Sequence, residues 1–78
     1  ESIKMHLLCG DILKHLSRSS HQHQLVHYKM ALEISEEFDC FYYLAIIYLR
    51  IGQIYINRNS HVFNIAQAIE YFFHRLNS

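Results

Sequence analysis

Apolar residues recur along this chain near helical spacing, in four runs separated by short polar breaks. Ile3, Leu7, Leu8, Ile12, Leu13 and Leu16 predict a first helix over about 2–16. The tract "SRSS" at 17–20 breaks it, and Ser19 or Ser20 is expected to cap the next helix. Leu25, Tyr28, Met30, Ala31, Leu32 and Ile34 predict a second helix over about 20–36. The connection "EEFD" at 36–39 leads to a third helix, about 39–57, that is apolar on nearly all sides. "NRNS" at 57–60 closes it, with Asn59 or Ser60 as the expected cap of a fourth helix. That helix runs over about 61–76, through Phe63, Ile65, Ala66, Ile69, Phe72, Phe73 and Leu76. The pattern predicts an all-α domain spanning residues 1–78. Its four helices form two antiparallel hairpins, about 2–36 and about 39–76.

A glycine sits inside the most apolar helix, in "YLRIGQIY" at 48–55. Glycine costs a helix interior about 1 kcal/mol relative to alanine, so its presence needs a reason. The other glycine stands in the same frame. "LLCGDIL" at 7–13 aligns with "LRIGQIY" at 49–55, matching Leu7 with Leu49, Gly10 with Gly52 and Ile12 with Ile54. The offset is 42 residues (52 − 10), a period that marks stacked helical repeats. Gly10 and Gly52 are therefore expected to let a partner helix approach where a Cβ would stand in the way.

This arrangement resembles the tetratricopeptide repeat. Ile51, Gly52 and Tyr55 match the first helix of that family, with Tyr48 near its large aromatic position. Tyr28 and Ala31 match the aromatic and small residues of its second helix. The family's other small position falls near Gln24, a departure, and either Ala66 or Ala68 fills it in the second hairpin. The closing proline is missing from both hairpins, and the 42-residue period exceeds the family's ~34. The resemblance implies a solenoid fragment of paired helices that binds a peptide or a partner helix. It makes Gly10, Gly52, Tyr28, Ala31 and Tyr55 structural.

Composition sharpens this picture. Hydrophobic residues make up 51% of the 78, against 18% charged, which is more apolar surface than so short a chain readily buries. Lys plus Arg equals Asp plus Glu, so no basic footprint for nucleic acid exists. The stretch 40–49 carries no charge, but extending it to span length brings in Asp39, Arg50, Gln53 and Asn57, which argues against a membrane helix. No signal-peptide pattern is present at the start. Glu1 in place of methionine fits a piece of a larger protein. Cys9 and Cys40 are too few for a disulfide scaffold and are expected as free thiols in a reducing, cytoplasmic setting.

The candidate chemistry is sparse. Of seven histidines, His23 and His27 share a helix face and His21 could join from the capping turn, a weak zinc or copper alternative with no carboxylate or cysteine at ligand spacing. No nucleophile–base constellation and no phosphate-cradling glycine loop appear, so neither an enzyme nor a cofactor is expected. Glu33, Glu36, Glu37 and Asp39 form an acidic cluster suited to a basic peptide. Tyr42 and Tyr43 are the candidate partner-binding residues, because two hairpins cannot cover every side of their helix. Phe72 and Phe73 are the candidate anchors of a homodimer, or of docking onto a larger assembly. The expected role is a protein-interaction module, with self-association as a further alternative.

Overall fold

The computed structural model describes residues 2–15 and 21–76, and among them all regular structure is helical. The four helices are α1 (Ser2–His15), α2 (His21–Glu37), α3 (Phe41–Tyr55) and α4 (Ile65–Leu76). The expected cap at Ser19 or Ser20 falls outside the described residues.

The ends of the helices are set by local hydrogen bonds. At the end of α2 the Cys40 N–H donates to the Ser35 carbonyl (2.9 Å) and the Asp39 N–H to the Glu36 carbonyl (3.4 Å), the paired bonds of a Schellman motif. Asp39 takes the left-handed position at φ 53°, where glycine is usual. This tight reversal starts α3 at Phe41, later than the expected 39.

Helix α3 ends at Tyr55, and α4 begins at Ile65 rather than near 61. Polar side chains between them capture backbone donors that a helix would use. Asn57 Oδ1 accepts from the Asn59 N–H (2.9 Å) and Ser60 Oγ from the Val62 N–H (3.1 Å). The Asn64 N–H then donates to the Tyr55 carbonyl (2.8 Å), tying the loop back to α3. Asn64, not Asn59 or Ser60, caps α4: its Oδ1 accepts from the Gln67 N–H at 3.1 Å.

Each helix packs on its neighbour in sequence, α1 on α2, α2 on α3 and α3 on α4. Antiparallel order shows in the pairs that meet. His21 at the start of α2 reaches Asn57 just past the end of α3, while Glu36 at the end of α2 reaches back to Tyr48 at the middle of α3. The core gathers Ile3, Leu25, Tyr28, Ala31, Ile47, Ile51, Ile54, Tyr55 and Ala68. Ile47 and Ile51 are wholly buried because α3 has neighbours on two sides. Burying such a side chain stabilises the fold by about 1.5–3 kcal/mol. Tyr55 stacks on Tyr71 with ring centroids 5.7 Å apart, and Lys29 Nζ lies 5.5 Å from the Tyr55 centroid. No described helix is long and apolar enough to cross a membrane.

Both glycines sit under an aromatic ring. A Cβ at Gly10 would fall 2.5 Å from Cε1 of Tyr28, and one at Gly52 would fall 2.5 Å from Cε1 of Phe72. In each hairpin the first helix presents a bare backbone and the second helix fills it with a ring.

Candidate functional site

The most exposed aromatic surface lies where α2 turns into α3. Phe38, Phe41 and Tyr42 are 66% to 74% exposed, within five residues of chain. The Schellman turn makes this arrangement: with Asp39 left-handed, the backbone reverses before Phe38 can enter the core, and Phe41 and Tyr42 open the next helix. Tyr43 is half-buried and meets Tyr42 edge-on, centroids 5.4 Å apart at 74°. Carboxylates flank the rings, since Glu36, Glu37 and Asp39 are all exposed. Glu36 Oε2 accepts from the Tyr48 hydroxyl at 3.3 Å, and burial together with that carboxylate pushes the Tyr48 phenol above its ordinary pKa. Rings of this kind offer broad apolar faces that also attract cations, and the carboxylates accept hydrogen bonds from Lys or Arg.

The other expected binding residues sit elsewhere. Phe73 is exposed on α4, in line with Ile65 and Ile69 at one-turn spacing. Phe72 is half-buried, lying over Gly52 and packed against the core. Of the residues expected to be structural, Tyr28, Ala31, Gly10, Gly52 and Tyr55 are all buried. Phe38 escaped the sequence reading as a site residue. Its one signal is a large aromatic set between carboxylates in a turn.

A second feature is the polar cleft between the hairpins, a cavity of about 200 Å³ lined by Lys14, His21, Gln24, Arg50, Gln53 and Asn57 among others. Its wall is an ordered network. Asp11 Oδ1 accepts from the Tyr28 hydroxyl (2.5 Å) and from Arg50 Nε (2.9 Å), and Oδ2 accepts from Arg50 Nη2 (3.3 Å). Partial burial alone would push the Asp11 carboxyl up. The bonds from Arg50 and Tyr28 outweigh it and hold the carboxyl below its ordinary pKa. Burial, then the bond to Asp11, drives the Tyr28 phenol far above its ordinary pKa. Arg50 is raised in turn by its bond to Asp11. The network joins α1, α2 and α3, and so fixes one hairpin against the other.

The histidines considered as metal ligands are drawn to different neighbours. His21 Nε2 pairs with Asn57 Nδ2 at 3.3 Å, and His27 Nδ1 pairs with His6 Nδ1 at 3.2 Å, while His23 is exposed. No group of three metal-ligating side chains occurs among the described residues. Cys9 and Cys40 are free thiols. No family model, curated protein or solved structure matches the chain.

Proposed function

We propose that this chain is a tetratricopeptide-like interaction module that binds a basic, apolar-bearing peptide or helix at the corner between α2 and α3. The observation that carries the proposal is the concentration of Phe38, Phe41 and Tyr42, largely exposed, among Glu36, Glu37 and Asp39. Rigid aromatics are the side chains that most often anchor protein interfaces. Flanking carboxylates select the charge of the partner and speed encounter. The repeat resemblance supports the same reading. Both hairpins seat an aromatic over a glycine, and the wholly buried Ala68 precedes Phe72 by one turn, where the family places a small residue. The reading involves no catalytic step and no cofactor, and the two free thiols suit an intracellular setting.

The test uses two model helical peptides of equal length, one of Lys and Leu, one of Glu and Leu, each carrying a fluorophore. The Lys peptide is expected to bind, more weakly as salt rises. Phe41→Ala combined with Tyr42→Ala is expected to abolish that binding without altering the circular dichroism spectrum. Equal binding of both peptides, or binding that survives the double substitution, overturns the proposal.

A further inference from the structure

The interface between the two hairpins can be read residue by residue, and the outer faces of α1 and α4 carry the same two surfaces. On the α3 side of that interface, Ile47, Arg50 and Ile54 form one stripe at helical spacing. Ile47 and Ile54 are buried, and Arg50 holds Asp11 of α1. On the α2 side, His21, Leu25 and Lys29 form the matching stripe: His21 meets Asn57, Leu25 is buried, and Lys29 lies over Tyr55.

The glycine–aromatic contacts give the equivalences. Gly10 corresponds to Gly52, an offset of 42 (52 − 10), and Tyr28 to Phe72, an offset of 44 (72 − 28). Shifting the α3 stripe back by 42 gives Met5, Leu8 and Ile12 on α1. Shifting the α2 stripe forward by 44 gives Ile65, Ile69 and Phe73 on α4. All six are large apolar side chains, 48% to 62% exposed. The positions that face the neighbouring hairpin inside the molecule thus correspond to positions exposed on the outer faces of α1 and α4.

These faces are also more apolar than the internal junction. Leu8 stands where α3 has Arg50, Ile65 where α2 has His21, and Phe73 where α2 has Lys29. An outer repeat face that meets water is polar, and these two faces are apolar. We infer that a second copy of this chain stacks head to tail on the first, seating its Met5–Leu8–Ile12 face on the Ile65–Ile69–Phe73 face. Each copy carries both halves of the interface, so a copy satisfies both faces. The contact is heterologous: it uses different surfaces on the two partners and can extend beyond two. It rests on the equivalence of the hairpins and is independent of what the aromatic corner binds.

Leu8→Glu blocks the α1 face and Ile69→Glu blocks the α4 face, both at exposed positions that leave the fold in place. Circular dichroism melts confirm that each variant is folded. In sedimentation up to about 100 µM, a range that detects even weak association, the unsubstituted chain is expected to grow past a dimer as concentration rises. Each variant alone is expected to be monomeric, and an equal mixture of the two to form a one-to-one dimer through the remaining intact faces. A symmetric α4-to-α4 dimer predicts the reverse, a Leu8→Glu variant that still dimerises and a mixture with no heterodimer. That result, or a monomeric unsubstituted chain, overturns the inference.

Discussion

Tyr28 lays its ring on Gly10 so closely that a methyl group there would stand 2.5 Å from Cε1. The ring cannot step aside, because Tyr28 is buried and its hydroxyl is held by Asp11. Phe72 covers Gly52 at the same distance, but that ring is half-exposed and carries no hydroxyl. The two glycines are therefore expected to differ. Gly10→Ala forces a shift that overpacking data put at about 1–3 kcal/mol, against about 1 kcal/mol gained in helix propensity. Gly52→Ala lets Phe72 swing outward and is expected to cost less. Urea midpoints should rank Gln53→Ala above Gly52→Ala, and Gly52→Ala above Gly10→Ala. A Gly10→Ala midpoint at or above that of Gln53→Ala would show that the ring does not wedge the helix.

The Asp11–Arg50 pair gives the fold an acid limit. The unfolded Asp11 takes up its proton near its ordinary pKa of 3.8, while the folded carboxyl, held by Arg50 and Tyr28, resists to lower pH. Its contribution is present above pH 3.8 and is lost as pH falls through the depressed native value. Tyr28 gives a limit at the other end. Its native pKa lies above 10.0, so the unfolded chain ionises first and stability falls as pH rises past 10.0. Tyr48 and Tyr71, also raised by burial, add to that limb. Urea midpoints taken on either side of both values test this. Asp11→Asn is expected to flatten the acid limb and leave much of the alkaline one. An unchanged acid limb in that variant would mean that other carboxylates govern it.

Helical periodicity fixed the four helices and their pairing, because the apolar face of each is continuous over three turns or more. The shared frame of Gly10 and Gly52 was visible because the chain has no other glycine. The start of α4 was not, since Val62 and Phe63 continue an apolar pattern while the side chains of Asn57 and Ser60 capture the backbone donors there. The extra length of that loop shifts the second-helix equivalence from 42 to 44, so Phe72 could not be assigned to Gly52 by spacing. The bond between Asp11 and Arg50 spans 39 residues and depends on how the hairpins sit together. At the aromatic corner, Tyr42 was legible from the all-round apolarity of α3. Phe38 was not, because its exposure goes with a turn at a left-handed Asp39 that the apolar pattern does not reveal.

Asp39 itself is testable. A non-glycine residue in the left-handed region carries about 1–2 kcal/mol of strain, somewhat less for aspartate. Asp39→Gly removes that strain but frees the unfolded chain, a loss of about 0.5–1 kcal/mol. A net gain of about 0.5 kcal/mol is expected. Asp39→Val, whose branched side chain resists positive φ, is expected to lose about 1 kcal/mol or more and to fray the last turn of α2. Thermal melts of the two variants compare them directly. A Val variant as stable as the Gly variant would mean that Asp39 does not hold the turn.

Ser35 offers the opposite case, a residue expected to improve the fold when it is removed. Its Oγ is fully buried and has no hydrogen-bond partner among the described residues. Leaving a buried hydroxyl unbonded costs about 1–3 kcal/mol. Its backbone carbonyl, which accepts from Cys40, is untouched by a side-chain change. Ser35→Ala deletes the orphan oxygen, keeps the Cβ packing, and adds about 0.5 kcal/mol of helix propensity. The variant is expected to gain about 1 kcal/mol, a rise of about 4–8 °C in a domain of this size. Ser35→Val replaces the hydroxyl with a methyl and adds a second methyl at a site with no exposed surface, and is expected to lose stability through overpacking. A lower melting temperature for Ser35→Ala would mean that the hydroxyl is satisfied in solution and that its removal costs a hydrogen bond.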